Sequence, residues 1–372
     1  MESYQVVDAD GHIKETMLGV IEWEKEIDPK FKHIAPKVLP FYTRGGRTLM
    51  DGKLWPRPFL DVEDYYVQGE RFAIAMNRKG MWEPEERVRD MDREGIHTAI
   101  LFGDAIALGI PGVRDPNYAL AISRVYNRWA SKYAQTSPSR LKPVAALPLQ
   151  DPDIAASELE FCVGELGMIG VCAAPMVQGR TLADSRFFPV YASCERLGVP
   201  ICVHGNCGMH GLGPPGLEGC EQLYLVHAAS FPFGLMMAIG SLIGEGTFDK
   251  FPSLRFAFLE GGVGWLPYWM ERMDGHFELM KNQMKAKNKP SEYLRSGQCF
   301  VSCDPQEATL PDVVSALGED QIMYASDYWH GDAKYFGTVA SIAENPKLSP
   351  SAKRKILGDN ARRLFRLDTA SE

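Results

Sequence analysis

The stretch VVDADGH, residues 6–12, runs from an apolar strand into acidic and imidazole side chains. In an extended strand, residues i and i+2 point to the same face, so Asp10 and His12 can bind one ion. Three later segments end in the same way: PICVHG (200–205) with His204, FAFLEGG (256–262) with Glu260, and IMYASD (322–327) with Asp327. Side chains that close strands so far apart in sequence can meet where the carboxyl ends of barrel strands converge.

Strand-like and helical segments alternate along most of the chain, which indicates βαβ units and a parallel sheet. The apolar strand-like segments are residues 4–9, 97–102, 141–149, 168–175, 199–205, 254–260, 298–304 and 321–327. Eight strands are the number that a closed barrel of this type requires. The predicted fold class is therefore α/β, a (β/α)₈ TIM barrel. Its rival is a doubly wound sheet, which normally has a glycine-rich phosphate turn after its first strand.

We predict a single domain, 1–372, with a long insertion after the first strand at about 16–80. The insertion breaks the alternating rhythm because it is rich in proline, glycine and aromatic residues. Insertions at this place in a barrel face the mouth of the active site. The insertion is therefore a candidate for contacts with a substrate.

The composition excludes several classes of partner. A net charge of -8 and the absence of a Lys/Arg cluster argue against nucleic acid, because phosphate binding needs clustered cations. The sequence contains no uninterrupted run of roughly 18 apolar residues, so it does not favour a membrane span. The 8 cysteines form no CxxC pair and are typical of reduced core residues in a cytoplasmic protein. We expect a cytoplasmic enzyme with a small-molecule substrate.

The strand-end residues define a predicted metal site. Asp10, His12, His204 and Asp327 are the candidate ligands of one divalent ion. Oxygen and imidazole ligands without thiolate suit Zn²⁺, Mn²⁺ or Fe²⁺, and zinc is the first expectation. The alternatives are structural, because an Asp at a strand end often caps the following turn. Asp327 is also a candidate general base, since a carboxylate beside the ion can accept a proton from bound water.

Two further residues are candidate proton carriers. Glu260 precedes two glycines, and a buried carboxylate without a partner is costly, so we expect it to have either a catalytic role or a salt bridge. His330 follows Asp327 by three residues. For both His330 and His227 the alternative is a place in the scaffold, and His227 is a candidate substrate contact.

The insertion also provides candidate substrate contacts. Its aromatic residues, Trp55 among them, suit a flat substrate, and Arg44, Arg47 or Arg57 is a candidate to hold a substrate carboxylate. The alternative is that these residues pack a lid or a dimer contact.

With these motifs in view, the chain resembles the amidohydrolase superfamily, in the branch that contains aminocarboxymuconate semialdehyde decarboxylase and resorcylate decarboxylase. The other segments that carry the resemblance are PLQDP (148–152), the stretch 246–274, YASDYWHGD (324–332) and ILGDNARRLF (356–365). The resemblance implies that Asp10 and His12 are first-strand ligands, His204 the fifth-strand ligand and Asp327 the eighth-strand ligand. It also implies a homodimer or higher homo-oligomer.

The chain departs from the pattern of that family at two positions. Asp10 replaces the first histidine of the common His-x-His motif. Glu260 stands where the well-known decarboxylases of the family have a histidine at the end of the sixth strand.

These observations lead to three functional expectations. The first is a metal-dependent hydrolase, in which metal-activated water cleaves a C-C or C-N bond of a carbonyl-containing, aromatic or carboxylated substrate. The second is a non-oxidative decarboxylase of an aromatic or related carboxylic acid. The third is a non-catalytic barrel that has lost its metal and serves as a binding or scaffold protein.

Overall fold

The computed structural model describes residues 4–41, 43–57, 78–328, 330, 333 and 335–367, and at residues 40, 41 and 43–46 it describes the backbone only. The strands of these residues are β1 (Val7–His12), β2 (Lys37–Phe41), β3 (Thr43–Met50), β4 (Lys53–Trp55), β5 (Thr98–Phe102), β6 (Leu141–Pro143), β7 (Ala145–Ala146), β8 (Val171–Ala173), β9 (Met176–Val177), β10 (Arg180–Thr181), β11 (Ile201–His204), β12 (Phe256–Leu259), β13 (Cys299–Cys303) and β14 (Ile322–Tyr324). The α-helices are Trp23–Glu26, Pro84–Glu94, Ala105–Gly109, Pro116–Ala134, Pro152–Gly164, Phe188–Leu197, Leu223–Gly244, Thr247–Lys250, Leu266–Met280, Pro290–Arg295, Leu310–Leu317, Thr338–Ala343, Pro350–Arg354 and Asn360–Phe365.

The parallel strands form two sheets, ordered β1-β5-β6 and β7-β8-β11-β12-β13-β14. Only Val144 separates β6 from β7, and its N–H donates to Leu101 O at 3.0 Å, so the two short strands act as one. At the other side the N–H of His12 donates to Tyr328 O at 2.6 Å, and the N–H of Asp327 donates to Asp10 O at 3.0 Å. These bonds bring the segment after β14 against β1. The described strands thus confirm the predicted (β/α)₈ barrel.

Alternate residues of each strand point into the barrel and fill it, because successive side chains of a strand point to opposite faces. The inward-facing apolar cluster contains Val7, Ala9, Ile100, Phe102, Val144, Cys202, Ala257, Leu259, Phe300 and Met323. Residues of the last helix, Ala361, Leu364 and Phe365, belong to the same cluster and cover the barrel at its amino-terminal end. Outward-facing residues such as Ile201 and Val203 pack against the surrounding helices.

The insertion after β1 contains a small antiparallel sheet, β2-β3-β4, which the proline-rich sequence did not predict. The sheet packs on the loop after β11: Thr48 Oγ1 lies 3.2 Å from Nε2 of the buried His210. The described part of the insertion therefore contacts the loop at the carboxyl end of β11. Residues 58–77 of the predicted insertion lie outside the described residues.

The first strand begins and ends three residues later than predicted, at 7–12 instead of 4–9. The pairing of β1 with β5 shifts its register between Asp8 and Gly11 and then continues to His12. Such an irregularity re-aims side chains at the end of a strand. Asp10 and His12 therefore lie within β1 itself.

The helix Leu223–Gly244 is long and apolar enough to cross a membrane by length and composition, with a mean hydropathy of 1.6. Residues such as Leu235, Ala238 and Leu242 on one face are buried in the core, however. A core helix passes the same test, so this helix is weak support for a membrane span.

The close approach of Gly358 to Gln5, which lies just before β1, yields a prediction. A Cβ at Gly358 would lie 2.2 Å from the backbone O of Gln5, whereas a Cβ at Gly164 would meet no atom within 4 Å. We expect Gly358→Ala to destabilise the protein by about 1–3 kcal/mol, because backbone atoms must move apart. Gly164→Ala, at the exposed end of the helix Pro152–Gly164, is the matched control and should change stability by at most about 1 kcal/mol. Urea unfolding measures both; equal effects would contradict the prediction.

Candidate metal centre

The predicted ligands converge at the carboxyl end of the barrel. Asp10 and His12 come from the end of β1, His204 ends β11, and Asp327 follows β14. Asp10, His12 and His204 are at most 1 % exposed. Their donor atoms form one group in which all lie within 4.8 Å of one another, and His12, Asp327 and His330 form a second, overlapping group. The structure brings together side chains from both ends of the chain.

The distances between donor atoms describe a tight cluster. Nε2 of His204 lies 3.3 Å from Nε2 of His12 and 3.4 Å from Oδ1 of Asp10. Nε2 of His12 lies 3.6 Å from Oδ1 of Asp10 and 3.5 Å from Oδ1 of Asp327. Atoms that share one ion from different directions are separated by such distances, since zinc–ligand bonds are about 2.0–2.2 Å long.

Backbone carbonyls orient both imidazoles. Nδ1 of His12 lies 2.9 Å from Gly103 O, and Nδ1 of His204 lies 2.5 Å from Gly205 O. A carbonyl accepts only, so each Nδ1 carries the proton and, in the neutral ring, Nε2 presents a lone pair. Second-shell carbonyls commonly fix metal-binding histidines in this way. The tautomers therefore direct two lone pairs toward Asp10.

The carboxylate of Asp10 has neither oxygen in a hydrogen bond within the described residues, although both are buried. Burying a carboxylate without compensation costs several kcal/mol. A cation between Asp10 and the two imidazoles would supply the missing interaction. The donor set consequently fits a divalent metal ion.

The pKa values of the histidines agree with a site that exchanges protons for a metal. Burial lowers the pKa of His12 well below its usual value, and the neighbouring His330 and His204 lower it further. Burial also lowers the pKa of His204, but the carboxylates of Asp10 and Glu260 outweigh it and raise the pKa to about 9. Without metal, a proton therefore balances these carboxylates at neutral pH. Metal binding to such a site releases protons.

Glu260 and His330 lie at the edge of the cluster. Oε2 of Glu260 is 3.2 Å from Nε2 of His204, and Oε1 is 3.6 Å from Nδ1 of His330. The same Nδ1 lies 2.7 Å from Oδ1 of Asp327, and the ring of His330 packs 4.1 Å from that of His12. The side chains of Glu260 and His330 are 14% and 20% exposed. Unlike Asp10, both are open to an incoming molecule.

Two residues that the sequence analysis missed hold Glu260 in place. The N–H of Glu260 donates to Ser302 Oγ at 3.2 Å, and Glu307 accepts from the N–H groups of Val263 and Gly264. Ser302 lies within β13 and Glu307 lies in the loop that follows it, so no local motif points to either.

A cavity of about 420 Å³ lies between β4 and the loop after β11. Trp55, Cys207 and Val226 line it and belong to an apolar cluster with Phe231. The ring of His227 packs edge-on against Phe231 at 5.1 Å. Phe231 in turn covers Gly205, where a Cβ would lie 2.1 Å from its ring, so this cluster adjoins the loop that begins at His204.

The arginines of the insertion have different environments. Arg57 donates to the backbone O atoms of Leu217, Glu218 and Cys220, so its guanidinium holds the loop after β11. Arg47 pairs with Leu39 in the hairpin of β2 and β3 and is half-buried. The side chain of Arg44 lies outside the described residues. A role for Arg44 or Arg47 in binding a carboxylate stays a prediction.

A sequence model of the amidohydrolase family matches residues 7–367. The chain belongs to the amidohydrolase family. It is 31% identical over 299 residues to gamma-resorcylate decarboxylase of Polaromonas sp. strain JS666, covering 76% of this chain and 87% of that protein. It is 27% identical over 292 residues to 2-amino-3-carboxymuconate-6-semialdehyde decarboxylase of Dictyostelium discoideum, covering 77% of each.

Among solved structures, the fold is similar to that of 5-carboxyvanillate decarboxylase from Novosphingobium aromaticivorans, crystallised with manganese and 4-hydroxy-3-methoxy-5-nitrobenzoic acid. The TM-score is 0.72 at 22% identity, and the match covers 98% of this chain and 96% of that chain. This likeness confirms the barrel fold of the amidohydrolase.

These relatives correct the first functional expectation. Hydrolysis by metal-activated water is wrong as the main interpretation, because the curated relatives belong to the decarboxylase branch of the family. The physical reason is that one cluster of carboxylates and imidazoles can bind a metal for either reaction. The ligand pattern in the sequence therefore did not distinguish the two reactions. The prediction of an enzyme of the amidohydrolase family is confirmed, and the donor set fits a divalent metal ion, whereas the assignment to zinc has no specific support.

The geometry of the cluster yields a prediction about metal content. After incubation with Mn²⁺ and desalting, we expect the wild type to hold about one ion per chain and His204→Ala and Asp327→Asn to lose it. Loss of a direct ligand should weaken binding more than the roughly 10–100-fold that loss of a second-shell partner costs. Elemental analysis gives the metal content, and circular dichroism checks the fold. His276→Ala, at an exposed histidine, is the control. Retention of metal by both variants would refute the site.

The buried His210 yields a prediction about pH. Burial lowers the pKa of His210 to about 4, and Lys53 adds to this effect. Between pH 6.5 and 4 the unfolded chain binds a proton that the folded protein does not, so stability falls as pH falls through this window. The loss can reach about 3 kcal/mol.

His210→Asn removes this titration, and Asn tolerates the positive φ of 50° at this position. Urea unfolding of the metal-free protein at pH 4, 5 and 6.5 should therefore show a shallower pH dependence for the variant than for the wild type. Identical slopes would contradict the prediction.

Proposed function

We propose that this amidohydrolase is a metal-dependent, non-oxidative decarboxylase of an aromatic or related carboxylic acid. The observation that carries the proposal is the buried Asp10 carboxylate, which has no hydrogen bond among the described residues and lies 3.4 and 3.6 Å from two imidazole nitrogens. This donor set fits a cation, and a divalent cation is the natural partner of a substrate carboxylate. Decarboxylase relatives that cover three quarters of the chain support the reaction.

Asp10, His12, His204 and Asp327 would hold the metal. Manganese is the first ion to test, because it is bound in the similar crystal structures of 5-carboxyvanillate decarboxylase and of dihydroxybenzoic acid decarboxylase from Polaromonas sp. JS666. Carboxylate and imidazole ligands suit Mn²⁺ as well as Zn²⁺. When bound, the ion would attract the substrate carboxylate and a neighbouring oxygen and stabilise negative charge there.

The reaction breaks the bond between the substrate carbon and its carboxylate, releases CO₂, and adds one proton to that carbon. Glu260 and His330 are the proposed proton carriers. They are more exposed than the buried ligands, and their side chains approach each other to 3.6 Å at the edge of the cluster. His330 Nδ1 is held by Asp327, which orients the ring against His12. A positioned acid of this kind typically contributes about 10²–10⁴-fold to the rate.

The cavity beside Trp55 is the proposed site of the substrate ring. Its volume of about 420 Å³ lies within the range of small-molecule pockets. Trp55 and the aliphatic residues of its lining suit a flat ring, and Lys53, Arg57 and Glu218 add charged groups to the wall. Cys207, in its wall, follows His204 by three residues, so the Cα atoms of these two residues lie within about 11 Å of each other. His227 supports this wall through Phe231.

Turnover of a small panel of acids tests the proposal. The panel is 2,6-dihydroxybenzoate, 5-carboxyvanillate and 2-amino-3-carboxymuconate semialdehyde, taken from the relatives, with the Mn²⁺-loaded enzyme. We expect release of CO₂ from at least one acid and, in D₂O, one deuterium at the carbon that lost it. Incorporation of ¹⁸O from labelled water into the organic product, or no CO₂ from any acid, would contradict the proposal.

The variant His330→Asn distinguishes the proposed role of His330 in proton transfer from the role of the metal ligands. We expect it to keep the bound metal but to lower kcat by about 10²–10⁴-fold. His276→Ala serves again as the surface control.

A further inference from the structure

We propose that Asp8 is a positioning residue, which fixes Asp327 relative to Asp10 and His12. Asp8 is fully buried and lies outside the cluster of candidate ligands. It precedes the register shift in β1, and its carboxylate contacts Ser326 and approaches Arg87 instead of joining the cluster. The inference rests on the proposed metal site and adds to it the residue that sets its shape.

The carboxylate of Asp8 connects the two ends of the chain. Oδ1 accepts from the N–H of Ser326 at 2.8 Å and from the N–H of Asp10 at 3.3 Å. Oδ2 accepts from the hydroxyl of Ser326 at 2.6 Å. One carboxylate thus binds the backbone of a candidate ligand in β1 and the residue directly before Asp327.

The chain of hydrogen bonds continues past Asp327. The hydroxyl of Ser326 accepts from the N–H of Tyr328 at 3.1 Å. Both neighbours of Asp327 are therefore tied to Asp8, directly or through one hydroxyl. Asp327 itself has a φ of 49°, in the left-handed region that non-glycine residues rarely adopt. Such a conformation persists only where the surroundings determine it, and the bonds of Ser326 and Tyr328 supply that constraint.

Arg87 stabilises this arrangement from the other side. Its Nη1 donates to His12 O at 2.8 Å, and its guanidinium lies 3.7 Å from the ring centre of Tyr328. A Cβ at Gly11 would lie 2.3 Å from Nη2 of Arg87 and 2.8 Å from Oδ2 of Asp8. The glycine of the DADGH motif is therefore the residue that lets Arg87 and Asp8 approach β1.

A simple buried ion pair does not account for Asp8. Its Oδ2 lies 3.8 Å from Nη2 of Arg87, well beyond the 2.6–2.8 Å of its bonds to Ser326. The carboxylate is oriented by the backbone beside the candidate ligands and not by the cation. Asp90 offers a contrast within the same region: it is also buried, but it accepts from the Tyr328 hydroxyl at 2.5 Å and from Arg78.

Asp8→Asn tests the proposal, with Asp90→Asn as the matched control. We expect Asp8→Asn to weaken Mn²⁺ binding by about 10–100-fold, as loss of a second-shell partner does, and Asp8→Ala to weaken it further. Asp90→Asn should lower the melting temperature of the metal-free protein but leave Mn²⁺ affinity within about threefold of the wild type. Titration followed by electron paramagnetic resonance gives the affinity, and the spectrum of bound Mn²⁺ reports the symmetry of its ligands.

Ser326→Ala is the second variant, which keeps the experiment decisive if Asp8→Asn does not fold. It removes the hydroxyl between Asp8 and Tyr328, so it should weaken Mn²⁺ binding and change the spectrum in the same direction. Its effect should not add to that of Asp8→Asn, because both break the same bond.

Two negative results have different meanings. If the wild type binds neither Mn²⁺ nor Zn²⁺, the proposed metal site fails and the role of Asp8 fails with it. If the wild type binds Mn²⁺ and the Asp8 and Ser326 variants match it in affinity and spectrum, only the positioning role is overturned.

Discussion

The closure of the barrel between β1 and the segment after β14 is the constraint on which the site depends. Two backbone hydrogen bonds, from His12 to Tyr328 and from Asp327 to Asp10, join the beginning of the chain to its last quarter. The bonds involve the candidate ligands themselves, so the register of closure sets the distance between their side chains. A shift by one residue would turn the ligands of one strand to the other face. Fold and metal site are therefore determined by the same contacts.

The concentration of charge at this place has a consequence for stability. Asp10, Glu260 and Asp327 gather around three imidazoles, and the buried Asp10 has no hydrogen bond within the part of the chain that the structure describes. Like charges at such distances raise the free energy of the folded protein unless protons or a cation balance them. Protons on His204 and His330, whose pKa values nearby carboxylates raise, provide this balance without metal. A bound divalent ion would replace them and add its binding free energy to the stability of the fold.

Much of the fold could be predicted from local patterns, because apolar strands, helices and strand-end ligands are each written in a few consecutive residues. The barrel and the convergence of Asp10, His12, His204 and Asp327 belong to this part. Contacts that bring distant segments together could not be predicted, such as Asp8 with Ser326 or Glu307 with the loop after Glu260. Asp8 is not among the predicted site residues, because the motif VVDADGH does not show that its carboxylate reaches Ser326.

The class of reaction could not be predicted from the ligand pattern in the sequence, for a chemical reason. The cluster provides a cation site and a nearby proton carrier, and both hydrolysis and decarboxylation need these two elements. The two reactions differ in whether water or the substrate carboxylate binds the ion. Which of the two binds depends on the shape of the pocket more than on the metal ligands. Trp55 and Cys207 in the cavity wall are thus the residues on which selectivity between such reactions depends in our proposal.

The backbone at two site residues shows how the barrel supports this chemistry. Glu260 and Asp327 both have a positive φ, of 57° and 49°, directly after β12 and shortly after β14. A non-glycine residue in this region costs about 1–3 kcal/mol, so neither conformation would persist in a free loop. At both positions the next strand or its loop holds the backbone: Ser302 binds the N–H of Glu260, and Asp8 binds Ser326 beside Asp327. The strain turns each carboxylate toward the imidazoles. Part of the stability of the barrel is therefore used to aim two side chains that an unstrained chain would direct elsewhere.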